Sequence, residues 1–407
     1  MPWLNEGRRS AMLNRVKLRA LAAALLTGAA GCVIYDSSLL VGGDAGTPDT
    51  GHRVDATMPK DAHPNDAGHD ASPPRDAGTD AEVCLEGGCL KPARSCIDGG
   101  TGAAFNCVPG QSINCCATAE VPGGTYQRGN LDASGLATVS TFTLDRFETT
   151  VGRFRRFVNL GLGTQTNPPV PGSGASPRIP NSGWNPDWNQ FLPVATTNLA
   201  VDDLTCDMDP NSNPTWTDNI ENNETLPINC ISWFEAFAFC AWDGGRLPTN
   251  AEWNYAAAGG NEQRVYPWSV PSTNTLIDIS HAVYGCMGHG GPTEYDDAGD
   301  VLCYIADILP VGSTSPKGDG RWGHSDLAGS MYEWTLDWVT PVYPLPSKNC
   351  GVVDGGPADA GPDAEYGRVQ RSGGYYDLPD NLYTFDEYYL DPTQIYDDDG
   401  IRCARDP

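Results

Sequence analysis

A loop-rich globular domain with short, sharply capped helices is what the sequence predicts from about residue 119 onward. Three observations predict it. Glycine and proline supply 47 and 33 of the 407 residues, well above the ~12% of average chains, so turns should outnumber long elements. Ser232 with Glu235, and Thr249 with Glu252, are S/T-x-x-E capping boxes, in which hydroxyl and carboxylate each satisfy a free backbone N–H at a helix start. The 289 residues from 119 to 407 are enough to bury one large core.

Each element then has a local reason. Trp233, Phe237, Ala238, Ala241 and Trp242 recur at helical spacing and give the first helix an apolar face, which Gly244 and Gly245 end. The second helix runs from the Thr249 cap to Gly259 and Gly260. A strand is expected at Arg368, and the Asp/Ala/Gly/Pro-rich stretch at 351–367 before it reads as an exposed loop.

The residues ahead of this domain divide into three parts. Arg8, Arg9, Arg15, Lys17 and Arg19 precede an apolar run from Leu21 to Ala30 and then Gly31 and Cys32. This is the pattern of a bacterial export signal, 1–32, with an apolar run too short to span a bilayer. A cysteine directly after small residues suits lipid attachment at Cys32, although Ala29 stands where lipoprotein signals prefer leucine. An ordinary secretory peptide is the alternative. Val33 after the cysteine favours the outer membrane or cell surface. After Val41 the chain to residue 82 carries almost no large apolar side chains and repeats Asp-Ala-Gly at 44, 66 and 76, so 33–83 reads as a disordered acidic tether. His52, His63 and His69 within it are expected to be merely solvated. Six cysteines, at 84, 89, 96, 107, 115 and 116, crowd the segment 84–118, which reads as a small disulfide knot; a zinc site is the runner-up, but the spacing is irregular and histidine is absent.

The net charge is -27. That excludes nucleic acid and electrostatic adhesion to anionic lipid as partners.

The stretch LPINCISWFEAFAFCAWDGGRLPTNAEWNYAAAGG, 226–260, resembles the core of the formylglycine-generating enzyme family, also called sulfatase-modifying factors. Further blocks of that family follow in order: VPGGTYQRGN at 121, FTLDRFETTVGRFRRFV at 142, YPWS at 266, PVGS at 310, DLAGSMYEWTLDW at 326, RVQRSGGYYD at 368 and GIRCAR at 400. The resemblance covers 119–407 and implies a single α+β domain of C-type-lectin-like fold, preceded here by the Cys-rich knot and the tether.

The family oxidises a sulfatase cysteine to formylglycine with oxygen and a copper(I) ion held by two thiolates. Aligning the block at Ser372, Gly373 and Gly374 places Asp377 and Leu382 at the two cysteine positions, and no cysteine lies between Cys350 and Cys403. A soft ion needs soft ligands, so the resemblance implies no copper site and no catalytic residue of the known kind. It also implies a Cys240 to Cys403 disulfide, while a second family bridge has lost both partners, with Ala257 in one position. The DLAGSMYEW turn aligns with a family calcium site and implies Asp326 and Glu333 as carboxylate ligands with backbone oxygens from Gly329 and Met331.

Tyr375, Tyr376 and Asp377 head a Tyr- and Asp-rich wall whose composition suits a glycan or peptide ligand; a solvated loop would have the same composition. Three functions follow. The favoured one is a membrane-tethered binding or scaffolding module. The second is an oxidase with thiols relocated to Cys115 and Cys116. The third is another oxidoreductase on the same fold, with iron, for which His281, His289 and His324 show no ligand spacing.

Overall fold

The computed structural model describes residues 83–85, 88–90, 93–97, 106–108, 112–130, 135–206, 212–295, 301–340, 343, 347–353 and 367–407. The expected signal segment, Cys32, the tether and most of the acidic insertion lie outside the described residues. In chain order the strands are β1 (Val83–Leu85), β2 (Gly88–Leu90), β3 (Thr118–Val121), β4 (Gly124–Gln127), β5 (Leu136–Val139) and β6 (Phe142–Asp145). Among the described residues three helices of eight or more residues follow, α1 (Val151–Asn159), α2 (Trp233–Trp242) and α3 (Asn250–Ala257). Then come β7 (Glu294–Tyr295), β8 (Val301–Leu302), β9 (Tyr332–Trp338), β10 (Ser347–Lys348), β11 (Arg368–Arg371), β12 (Tyr388–Leu390), β13 (Asp399–Gly400) and β14 (Ala404–Arg405). Helices and mostly antiparallel sheets are thus segregated along the chain, which is an α+β arrangement.

Both capping boxes form. Ser232 N donates to Glu235 Oε2 at 2.7 Å while Glu235 N donates to Ser232 Oγ at 3.3 Å; the Thr249 and Glu252 pair repeats this at 2.9 and 3.1 Å. Every residue of α2 from Trp233 to Cys240 is buried. Apart from Glu235, which closes the cap, the helix is apolar all round because it lies inside the molecule. Its end is the expected one: Gly244 takes φ +85, and Gly245 N returns to Cys240 O at 2.9 Å.

The main core gathers α1, α2 and the four-stranded sheet, whose order is β12-β11-β9-β13. Phe154 of α1 stacks on Phe239 of α2 with centroids 5.1 Å apart. Cys240 and Cys403 form a disulfide that ties α2 to the C-terminal segment. Arg368 of β11 lies between the rings of Trp233 and Trp338, 3.9 and 4.0 Å from their centroids. A buried quartet completes the frame: Arg153 pairs with Asp145 at 2.9 Å and Asp243 at 2.7 Å, and Arg405 contacts both carboxylates. Two arginines against two aspartates balance charge where no water does.

The described parts of the Cys-rich segment touch the domain at Ser95, Cys107, Val108 and Cys115. Cys96 pairs with Cys116 and Cys107 with Cys115. Ser95 N donates to Asp243 Oδ1 at 2.7 Å, and Cys107, Val108 and Cys115 pack with Phe147 and Val311. Among the described residues no helix is long and apolar enough to cross a membrane.

Candidate functional site

The wall that follows β11 is where the family chemistry would stand. Ser372 and Gly373 both have positive φ, at 83 and 99°, a conformation glycine adopts freely and a side chain does not. Gly373 is also crowded: a Cβ there would lie 2.4 Å from Leu382 Cδ2 and 3.4 Å from Asp377 Oδ2. Asp377 and Leu382 therefore both lie beside one glycine. Leu382 is fully buried with Tyr266, Ala282, Tyr284 and Ala328, so its side chain is packing rather than ligand. Asp377 folds back on the turn, accepting Gly374 N at 2.8 Å.

Tyr375 and Tyr376 are placed inside the wall, not on its face. Tyr375 is fully buried; its hydroxyl donates to Asp397 Oδ2 at 2.7 Å and accepts from Asn213 Nδ2 at 2.9 Å. Tyr376 packs against it, with rings 5.5 Å apart in a T arrangement. What covers them is the insertion stapled by the Cys286–Cys303 disulfide. Gly285 N donates to Asp377 O at 2.9 Å, and Cys286 N to Tyr375 O at 3.0 Å. The outer rim is a run of rings in contact: Phe385 on Tyr383, Tyr383 on Tyr266, Tyr266 on Trp268 and Trp268 on His281. Asp380 and Leu378 are the exposed groups beside it.

The DLAGSMYEW turn lies at a second, acidic centre. Asp326 Oδ2 accepts Gly312 N at 2.7 Å, and Gly329 O accepts the Ser372 hydroxyl at 3.0 Å. Glu333 Oε2 accepts both Trp253 Nε1 and Arg402 Nε at 2.7 Å, and Oε1 accepts Arg402 Nη2 at 2.7 Å. Met331 is fully buried. Sequence reasoning missed Glu148, which accepts Ser330 Oγ at 2.8 Å and Met331 N at 3.0 Å. It lies in the FETT block but 182 residues from Ser330, so no spacing could have linked them.

Burial and the neighbouring Asp326 and Glu333 hold the Glu148 carboxyl well above its ordinary range. Burial also pushes Asp326 up to about 6. Three buried carboxylates thus share one guanidinium, that of Arg402. Each carboxylate oxygen has two lone-pair directions, so Glu333 Oε1 keeps one after Arg402, and Asp326 engages its Oδ2. Buried carboxyl groups that outnumber the one guanidinium, with pKa values raised toward the neutral form, offer the oxygen donors that a hard cation takes. Among the described residues no three His, Cys, Asp or Glu side chains form a metal-holding group by themselves; the fit depends on backbone oxygens.

Cys115 and Cys116 each stand in a disulfide, and none of the described cysteines is free. The three histidines are scattered: His281 meets Asp278 at 3.0 Å, His289 meets Asp307 at 2.5 Å, and His324 is buried and held neutral, its pKa lowered to about 3 by burial and by Arg402.

This fold and wall define a class. The sulfatase-modifying factor enzyme 1-like domain matches residues 106–407, and the chain belongs to that family. The chain is 33% identical over 191 residues to the formylglycine-generating enzyme of Streptomyces coelicolor, covering 46% of this chain and 55% of that enzyme. It is 26% identical over 300 residues to the enzyme of Thermomonospora curvata, 70% of this chain and 92% of that one. It is also 28% identical over 242 residues to the inactive C-alpha-formylglycine-generating enzyme 2 of Bos taurus, 56% of this chain and 71% of that protein. The chain thus spans about half the length of the first of these relatives. Among solved structures, PvdO from Pseudomonas aeruginosa superposes with a TM-score of 0.45 and 16% identity over 71% of this chain and 94% of that one.

Proposed function

We propose that this chain is a non-oxidising member of the family, exported and lipid-anchored through Cys32 to the outer membrane or cell surface, that acts as a binding or scaffolding module. One observation carries the reading: Asp377 and Leu382 stand beside Gly373, and Leu382 is packed into an apolar cluster. Copper(I) is soft and selects thiolates, whereas one carboxylate beside a buried leucine offers a single hard ligand. The likeness to the inactive bovine relative is consistent with it. The fold is read as C-type-lectin-like, and the ligand class as a glycan or peptide met at the aromatic rim beside Asp380.

Calcium is read as the resident ion, held by Asp326, Glu333 and the backbone oxygens of Gly329 and Met331. When bound it would neutralise buried negative charge and rigidify the turn.

The deciding experiment offers the protein, with copper(I) and oxygen, a Cys-x-Pro-x-Arg peptide and follows the peptide mass. No conversion above a no-protein control is expected. Turnover that disappears when Cys115 and Cys116 are replaced would favour relocated thiols. A Cys32→Ser variant that stays in the membrane fraction with unchanged mass would remove the lipid anchor from the reading.

A further inference from the structure

The insertion that covers Tyr375 begins with a turn wrapped around one imidazole. Asp307 is fully buried, and its carboxylate accepts three hydrogen bonds: Tyr304 N at 2.8 Å, His289 N at 3.1 Å and His289 Nδ1 at 2.5 Å. His289 itself is exposed. Glycines let the backbone close this tightly: a Cβ on Gly288 would lie 2.2 Å from Asp307 O, and one on Gly291 would lie 2.1 Å from His289 Nε2. Gly290 between them takes φ +85. A partly exposed ring is thus held in one orientation by a buried carboxylate.

The turn is continuous with the wall. Gly285 and Cys286, just before it, donate to the backbone of Asp377 and Tyr375, and Asn213 bridges Cys303 O at 3.4 Å to the Tyr375 hydroxyl at 2.9 Å. What fastens the turn 287–291 to the segment 304–307 therefore bears on how closed the wall is.

We propose that His289 is a proton-operated clasp: as imidazolium it pins the 287–291 turn onto Asp307, and as a neutral ring it lets that turn loosen from the cover of the Tyr375 to Asp377 wall. The groups facing the ring are Asp307, Glu294 of β7, the Cys286 carbonyl and the edge of the Tyr304 ring; Tyr304 in turn bonds Glu294 at 3.3 Å. All the charged ones are acidic. The hydrogen bond to Asp307 is the main cause that raises the His289 pKa; desolvation, next in size, opposes it, and the fields of Asp307 and Glu294 add to the rise. A raised histidine pKa means the clasp contributes fully below the ordinary value of 6.5 and fades as pH rises through the higher folded value. The clasp stands on this geometry alone; only its bearing on ligand access rests on the binding-module reading.

The test is an NMR titration of His289 together with hydrogen exchange at 287–291 and 304–307, corrected for the intrinsic pH dependence of exchange. His289 should titrate above 6.5. Protection of the two segments should fall tenfold on passing through that pKa for each unit by which it exceeds the ordinary one. His289→Gln keeps an amide donor toward Asp307 but cannot titrate, so its protection should not change with pH; Asp307→Asn should return the histidine to its ordinary range. Asp307 also caps Tyr304, so that variant can fail structurally, and the glutamine variant then decides. A His289 pKa at or below 6.5, or a His289→Gln protein with the parent's pH profile, overturns the clasp. Neither readout involves ligand or peptide oxidation, so the clasp and the binding-module reading fail separately.

Discussion

Arg402 holds both carboxylate oxygens of Glu333, Nε to Oε2 and Nη2 to Oε1, each at 2.7 Å and fully buried. The same guanidinium reaches the carbonyls of Ser325 and Asp326 at 2.9 and 3.1 Å. One side chain from the C-terminal block thereby fastens the acidic turn to β9. Removing one member of such a pair strands the other charge away from water, so Arg402→Met should destabilise by about 3–5 kcal/mol. Glu333→Gln should cost a similar amount, and the double variant less than the sum. Equilibrium denaturation of the three proteins checks this; strict additivity would mean the two side chains do not interact energetically.

Calcium should raise the melting temperature, because a ligand that binds only the folded state stabilises it by mass action. Glu333→Ala also frees Arg402, so Asp326→Asn is the cleaner variant: it removes charge with little change of shape. The calcium-dependent shift should largely vanish in it. An unchanged shift would put the ion elsewhere.

Losing the Cys240–Cys403 disulfide, which closes a loop with a sequence separation of 163, should cost about 5 kcal/mol from loop-closure entropy alone. Paired replacement of both cysteines by alanine, followed by denaturant titration, measures it. A cost near zero would mean that packing around α2 already fixes the C-terminal segment.

How much of this could be read beforehand depends on distance along the chain. The capping boxes were legible because an S/T-x-x-E pair acts across three residues, and the glycine stops for the same reason. The Cys240 pairing came only through family resemblance, since no local rule joins residues so far apart. Tyr375 shows the limit: its composition suited a ligand face, yet Asn213, Asp397 and the stapled segment at Cys286 enclose it. The buried quartet of Asp145, Arg153, Asp243 and Arg405 was likewise invisible, because each member sits on a different element and only the fold brings opposite charges together.

The pH dependence of stability should carry a mark of Glu235. Its carboxyl is held well above the ordinary range, first by burial and then by Asp203 beside it. A carboxyl with a raised folded pKa binds its proton more tightly in the native state. Its contribution is therefore complete below the ordinary value of 4.5 and lost as pH rises through the folded value. Glu235→Gln keeps an acceptor for Ser232 N and a donor toward Asp203 but has no proton to lose. Unfolding free energies measured across that window should decline with pH more steeply in the parent than in the variant. Parallel curves would show that the pair is ionised throughout.

Restoring thiols tests the wall most directly. Asp377 and Leu382 both crowd Gly373, so Asp377→Cys with Leu382→Cys would bring two sulfurs to the same glycine. Replacing the buried leucine by a smaller residue leaves space in its apolar cluster, and a loss of about 1–3 kcal/mol is expected by scaling down from leucine-to-alanine costs. The parent should compete poorly for copper(I), and each single variant little better, because one thiolate cannot hold a soft ion alone. The double variant, kept reduced, should bind copper(I) far more tightly in a competition titration. If the parent binds copper(I) as well as the double variant does, the protein has soft ligands outside this wall, and its reading as a non-oxidising module falls.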